Sequence, residues 1–533
     1  MLAALDRSTG RCVGAPHYGR AMYGRVAAVS LLGVGGHRIV VEAHVGRGLP
    51  SLTITGLPGA AVNDARDRIR PAVEHAKLEW PLRRVVVNLA PANLRKDGPG
   101  LDLPIAMSVL VATSQVAARS TERWVFVGEL SLKGELVATP GVLSVAIAAA
   151  RADLRGVVVP AANAVEAAQV DGLEVVGAST LGDVVGFLRG RWAPTEPAPA
   201  AVDAPADDVD LREVRGQLQA RRALEVAAAG GHNLLMVGPP GAGKTMLARR
   251  LPSILPDMSR DEALESSQLH SVAGLLHGRG ILRRRPFRAP HHTVSTSGLL
   301  GGGATFLRPG EASLAHHGVL FLDELTEFRR DAIEGLRQPL EDGRVVVTRA
   351  IGSVAFPARF MLVAAANPCP CGYAGDPRRA CRCRIDRADA YRQKLSGPLL
   401  DRIDLRLRLP RLTKQELIGI GEGEPSDLVR TRVIEARDRQ RARDAGLGFR
   451  SNADVPGPVA RRAFGVTDAA ERLLGDAVEA LHLTGRGFDR ALKVGRTIAD
   501  LAGAERIDHP HVAEALSYRH GADDVEEARA HAG

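Results

Sequence analysis

At 533 residues, with 45% hydrophobic and 25% charged residues, the chain is too long for a single core and reads as two to four globular domains. That composition excludes a disordered or low-complexity polypeptide, and no apolar run reaches the roughly 20 residues of a membrane span. The net charge of +9 is compatible with nucleic acid as a partner, because Lys and Arg displace counterions from phosphates, but an arginine-rich composition can arise without one. Four of the five cysteines crowd between Cys369 and Cys383, which is no spread disulfide framework. Met1 to Met22 has no apolar core of signal-peptide length. A reducing cytoplasm is the expected location.

Residues 1–21 lack periodicity and read as a disordered extension or a misassigned start, with Met22 a plausible first residue. Residues 22–192 form an α/β domain of their own. Strands are expected at Arg38–Val45, Arg84–Leu89, Val125–Val127 and Gly156–Val159. Helices are expected at Ala60–Ala76, with Asp64, Arg66, Asp67, Arg68 and Arg70 facing solvent, and at 140–152. Two stretches, Lys96-Asp97-Gly98-Pro99-Gly100-Leu101-Asp102 through Met107 and Val127–Leu136, resemble the proteolytic domain of the Lon family. That resemblance implies a Lon-like fold, but the chemistry requires a serine hydroxyl and a lysine base. Gly100 stands at the serine position and Ser144 near the lysine position, so the domain is expected to be proteolytically inactive. Residues 193–208, with four prolines and no basic residue, read as a semi-extended linker.

Residues 209–410 carry the chemistry. Gly238-Pro239-Pro240-Gly241-Ala242-Gly243-Lys244-Thr245 matches G-x-x-x-x-G-K-[ST] between an apolar strand, Asn233–Val237, and a helical segment beginning near Met246. Its glycines let backbone N–H groups turn inward around a polyphosphate, Lys244 reaches the β/γ-phosphates and Thr245 offers a hydroxyl to Mg²⁺. Gly318–Leu322 is a buried strand ending in Asp323 and Glu324. Asp323 is suited to hold Mg²⁺ through water, and Glu324 to orient or deprotonate the attacking water. Phe360–Ala366 is a third strand, ending in Asn367, whose amide could sense the γ-phosphate or simply cap the strand. Arg402, on the turn Ser396–Asp404, is either a finger for a neighbour's nucleotide or a partner for Asp401 or Asp404.

Cys369, Cys371, Cys381 and Cys383, as C-x-C, nine residues, C-x-C, suit one tetrahedral Zn²⁺ or stay as reduced structural thiols. His291 and His292, with His316 and His317 farther on, lack the carboxylate spacing of a catalytic metal site and read as loop histidines near phosphates or at an interface. Arg283-Arg284-Arg285 is either a DNA phosphate contact or a solvated run. Residues 411–520 form a small all-α lid, with apolar stripes at Ala470–Leu481 and Phe488–Ala502, and 521–533 a tail.

Taken in order, Lys244, Asp323, Glu324, Asn367 and Arg402 resemble the stations of AAA+ ATPases, and the segments 285–293 and 298–303 resemble those of the magnesium-chelatase-like branch. Lon-like domain, then chelatase-like ATPase, is similar to the YifB/ComM family from Met22 to about Arg519. The resemblance implies ATP and Mg²⁺, a homo-oligomeric ring of six, and a DNA motor of the helicase or branch-migration kind acting in natural transformation. It also puts Arg486 where the lid carries its nucleotide-sensing arginine, with Arg490 one turn later as competitor. Two other readings stay open: a chelatase-type subunit acting on a partner enzyme, and a protein-remodelling ATPase. The Lon-like domain and the lack of a D-x-S-x-S metal-adhesion motif count against the chelatase reading.

Overall fold

The computed structural model describes residues 22–196 and 209–519, apart from 97, 277, 304–305, 350–351, 377, 396, 413–422, 444–445 and 447. The expected extension 1–21, most of the linker 193–208 and the tail 521–533 lie outside the described residues. The chain divides into two compact units, Met1–Pro199 and Ala200–Gly533.

The first unit is a seven-stranded mixed sheet of β1 (Met22–Leu32), β2 (Gly35–Gly46), β3 (Ser51–Thr55), β4 (Arg84–Ala90), β5 (Trp124–Phe126), β6 (Gly156–Pro160) and β7 (Glu174–Ala178), in the order β3-β4-β2-β1-β5-β6-β7. Strands β1 and β2 form a long antiparallel hairpin from Met22↔Val45 to Leu32↔Gly35. Helix α1 (Ala60–His75) buries Val62, Ala65, Ile69, Ala72 and Val73, an i, i+3, i+4 stripe, beside α2 (Asp102–Ala112), in which every residue is buried. Helix α3 (Val142–Arg151) covers the other stretch of the sheet with Val142, Val145, Ala146 and Ala149.

Arg68 departs from the solvent-facing expectation. Its guanidinium turns inward and grips Asp102 at 2.9 and 3.2 Å, because Asp102 opens an otherwise apolar helix inside the core and has the Leu130 amide at 3.2 Å as its other donor. Burial pushes the Asp102 carboxyl up to about 6, against the opposing pull of Arg68. A folded-state pKa above the unfolded one means that this carboxyl favours folding below about pH 4, and that its contribution is lost as pH rises through about 6.

The second unit is built on a five-stranded parallel sheet of β8 (Leu234–Val237), β9 (Phe287–Arg288), β10 (Val319–Leu322), β11 (Met361–Ala366) and β12 (Leu405–Arg408), in the order β9-β10-β11-β8-β12. The central strands read LLMV, VLFL and MLVAAA and are almost wholly buried, the unbroken apolar pattern of strands covered on both faces. Helices α4 (Leu218–Gly230) and α5 (Lys244–Ile254) pack on this sheet. An antiparallel hairpin, Arg344–Arg349 with Gly352–Pro357, is inserted before β11.

Helices α6 (Ser426–Arg443), α7 (Asp468–Ala480), α8 (Gly485–Leu501) and α9 (His509–Ser517) follow, with a short helix, Gly457–Ala463, between α6 and α7. They are less separate from the ATPase core than a lid reading implies. Val429, Val433, Ala436, Val494, Ile498 and Ala515 share one apolar cluster with α4 and the sheet, while Ala470, Leu474, Ala491 and Leu516 form a second cluster among the helices themselves. Polar ties reinforce the junction: His232 bonds Thr497 at 2.8 Å and the Gln440 amide donates to the Ala229 carbonyl at 3.0 Å.

All three tryptophans, Trp80, Trp124 and Trp192, belong to the first unit, so intrinsic fluorescence reports its unfolding selectively. At pH 7.5, Arg68→Ala is expected to destabilise that unit by about 3 kcal/mol in urea, because it strands a buried carboxylate. At pH 4.5 the loss should shrink, since a protonated Asp102 does not need the guanidinium. An equal loss at both pH values would refute this account.

Candidate nucleotide site

Three strand ends meet at one edge of the sheet. Val237 pairs with Ala366 and Leu322 with Ala364, so the chain leaves β8, β10 and β11 side by side at Gly238, Asp323 and Asn367. The carboxyl edge of a parallel sheet is where ligands gather in such folds.

Gly238–Gly243 makes the loop and Lys244 begins α5. Gly241 and Gly243 have φ of +80° and +88°, and a Cβ on either would meet nothing within 4 Å. The left-handed backbone thus borders open space, a cradle of the kind that successive N–H groups form around phosphate. Gly238 is required for another reason: a Cβ there would sit 2.5 Å from the Leu409 carbonyl oxygen. Pro239, Pro240 and Ala242 complete the loop, and Gln217 bonds across it, its amide donating to the carbonyls of Ala242 at 3.4 Å and Pro410 at 2.9 Å. Gln217 therefore lies against the phosphate loop.

Lys244 Nζ donates to the carbonyls of Gly238 at 2.6 Å and Pro239 at 3.1 Å and to Asn367 Oδ1 at 3.0 Å. Burial lowers its pKa, while Asp323 and Glu324 act in the opposite direction. Thr245 donates its hydroxyl to Asp323 Oδ2 at 2.6 Å, which brings together the two oxygens suited to Mg²⁺. Glu324 is a non-glycine residue at φ +52°, in the left-handed region that clusters at functional sites. Its amide donates to Asp323 Oδ1 at 3.0 Å and its carboxylate stands half exposed. The donor set of hydroxyl, carboxylate, ammonium and open amide cradle fits a magnesium-bound triphosphate.

One contact was not legible in the sequence. His292 Nδ1 lies 3.5 Å from Glu324 Oε2, with the His292 ring stacked at 4.1 Å on His291 and edge-on to Phe328. The signal was the His-His pair just after β9, whose strand neighbours β10, the strand that delivers Glu324. His316 and His317 belong elsewhere: both are buried, both bond Glu265, at 3.3 and 2.7 Å, and the Arg450 guanidinium lies against His317. A cation already fills that cluster. Arg285 is likewise committed inside the chain, to Glu262 at 2.9 Å and to the carbonyls of Pro256 and His317, so it is no solvated DNA contact.

Arg402 is not gathered into the phosphate site. Its turn enters β12 at Leu405, which pairs with Leu234 at the start of β8, so Arg402 lies at the opposite end of the sheet from Gly238. It pairs there with Glu341, not with Asp401 or Asp404, and donates to the Pro398 carbonyl at 2.6 Å. Arg486 reaches the same Glu341 at 3.6 Å and is largely exposed. Arg490 instead ties the lid to Asp404 at 3.3 Å. Arg402, Arg490 and Glu341 line a cleft of about 1190 Å³ at this end.

Family models match three stretches: magnesium chelatase, subunit ChlI, over residues 210–417; subunit ChlI of Mg-chelatase over 41–163; and the ChlI C-terminal region over 423–519. An uncharacterized protein of Mycobacterium tuberculosis is 45% identical over 93% of this chain and 98% of its own length. The competence protein ComM of Haemophilus influenzae is 43% identical over 92% of this chain and 96% of its own, and YifB of Escherichia coli is 42% identical over 92% and 95%. Partial similarity extends to a Lon protease of Geobacter metallireducens, 24% identical over 38% of this chain, and to the Holliday junction branch migration complex subunit RuvB of Mycobacterium ulcerans, 28% identical over 51%. With a phosphate loop, acidic strand end and polar strand end on one sheet edge and these relatives along nearly its whole length, the chain belongs to the YifB/ComM family of magnesium-chelatase-type AAA+ ATPases.

Proposed function

We propose that this ATPase is a ring-forming motor that acts on single-stranded or branched DNA. The observation that carries the ring is the separation of Arg402 from its own phosphate loop by the length of the sheet. An arginine so placed contributes to hydrolysis only by reaching the nucleotide of a second copy. The choice of DNA draws on the net charge of +9, on the likeness to a competence protein and on the partial likeness to a branch-migration subunit. A closed ring of six and a cytoplasmic location belong to the same reading.

Lys244 and Asn367 present an ammonium and an amide to the terminal phosphate. Thr245 and Asp323 would hold Mg²⁺, which would neutralise charge on the β- and γ-phosphate oxygens. Glu324 accepts the proton of the attacking water. Arg402 and Arg486, which share Glu341 in the free subunit, turn to a second copy's phosphates when the ring closes. With Gly100 in place of a hydroxyl, the Lon-like unit performs no peptide hydrolysis and serves as a docking module. The cofactors of this reading are Mg²⁺ at the ATP site and, on the four thiols, Zn²⁺.

Glu324→Gln is expected to lower ATP turnover by roughly 10²–10⁴-fold while nucleotide binding persists. Arg402→Ala and Lys244→Ala should each be inactive alone. Mixed in equal amounts they should recover about a quarter of wild-type turnover, because one interface in four then joins an intact Lys244 to an intact Arg402. No recovery from mixed, assembled rings would refute a shared site. ATP turnover with and without single-stranded and forked DNA tests the substrate, with Glu324→Gln as the background. Stimulation with strand displacement is expected; an unchanged rate without displacement would leave the protein-partner readings.

A further inference from the structure

The four cysteines form a built tetrad. Cys369 Sγ lies 3.4 Å from Cys371 Sγ and 3.6 Å from Cys381 Sγ, Cys371 and Cys381 are 3.6 Å apart, and all four sulfurs fall within 4.8 Å of one another. A tetrahedron of thiolates at the usual Zn–S length of about 2.3 Å has edges of about 3.8 Å. None of the four is in a disulfide. Backbone amides point at the sulfurs as they do around metal thiolates: Ala374 to Cys369 at 3.3 Å, and Cys371 to Cys383 and Cys383 to Cys381 at 3.4 Å each. Arg378, Arg379, Arg382 and Arg384 are exposed on the same loop and offset the negative charge that four thiolates leave around a divalent ion.

The tetrad lies beside the nucleotide machinery. Cys369 follows Asn367 by two residues, and Asn367 bonds Lys244. Gly372, at φ +81° between the two halves of the tetrad, lies so close to the phosphate loop that a Cβ would meet the Pro240 ring at 2.5 Å. Beyond Cys383 the chain runs through helix Ile385–Arg392 to Lys394, whose ammonium donates to the Thr326 carbonyl at 3.1 Å, two residues past Glu324. One loop therefore leaves the end of β11, touches the phosphate loop and returns to the turn that carries Glu324.

We infer that Cys369, Cys371, Cys381 and Cys383 bind one structural Zn²⁺, and that the clamped loop braces Pro240 and the Asn367–Lys244 contact so that metal occupancy sets nucleotide affinity. The brace rests on the zinc reading above. A free loop of this length, rich in glycine and arginine, has no apolar core to hold its shape, whereas a metal closes it at four points.

The test uses the full-length protein purified under reducing conditions. Elemental analysis is expected to give one zinc per chain, released by a mercurial reagent and quantified with a colorimetric chelator. Once the mercurial is stripped from the cysteines with excess dithiothreitol, the zinc-free protein should bind a fluorescent ADP analogue roughly tenfold more weakly, and added zinc should restore the affinity. Because Cys→Ser variants may fail to fold, Gly372→Ala provides the second arm. It should keep its zinc and its thermal unfolding by circular dichroism but lose nucleotide affinity. Absence of zinc, with the thiols paired as disulfides or the site holding iron, would overturn the zinc site. Zinc present, with affinity unchanged both on its removal and in Gly372→Ala, would overturn the brace alone.

Discussion

Everything at the phosphate site depends on how Lys244 is held. Its ammonium is partly withdrawn from water, and all three of its hydrogen-bond partners among the described residues are neutral oxygens: two carbonyls of its own loop and Asn367. An ammonium has three protons to donate, so the group is satisfied without a carboxylate in contact. Its charge stays unspent until phosphate oxygens replace those acceptors. Asp323 is kept from Lys244 by Thr245, whose hydroxyl it accepts at 2.6 Å. The same two bonds fix three strand ends to one another, so the shape of the catalytic edge follows from the pairing of one lysine and one threonine.

The other end of the sheet follows a different logic. Glu341 sits between Arg402 and Arg486 and holds two cations near one another. The pair with Arg486 is exposed and contributes little to stability, whereas Arg402 is largely buried and also donates to the Pro398 carbonyl. Asp404 differs: it is buried, accepts from the Asn233 amide at 3.1 Å and is flanked by His232 and Arg490, so its carboxyl is held well below the usual range despite its burial. The rigid junction between lid and core thus runs through Asp404, while Arg486 nearby stays exposed. The phosphate loop and the Arg402–Glu341–Arg486 cluster thus stand at opposite ends of one sheet.

Much of this could be read from residue order. Apolar runs ending in Gly238, Asp323 and Asn367 gave the edge because parallel strands buried on both faces leave an unmistakable pattern. Helices α7 and α8 announced themselves by period. What could not be read were pairings set by tertiary approach. Arg68 sits on a helix face where its neighbours are solvated, and only the buried Asp102, 34 residues on, turns it inward. Arg402 had two aspartates within two residues of it and chose Glu341, because helical geometry around Gly397–Leu400 aims its guanidinium away from them. His292 and Glu324 meet only because β9 and β10 are neighbours in the sheet. Short strands such as β3, β7 and β12 were also missed, since four or five residues flanked by other elements carry too little alternation to stand out.

In the Lon-like unit, packing closes the position where the resemblance places a nucleophile. A Cβ on Gly100 would meet Val127 at 2.9 Å and Thr139 at 3.1 Å, tighter than side chains normally pack. Ser144 is buried in α3 with its hydroxyl unpartnered. The place of a nucleophile has therefore been taken over by apolar packing, and restoring a serine at residue 100 would crowd the core before it could attack anything. The sheet, the α1–α2 pair and the Arg68–Asp102 lock remain, since they depend on burial and do not involve the lost hydroxyl.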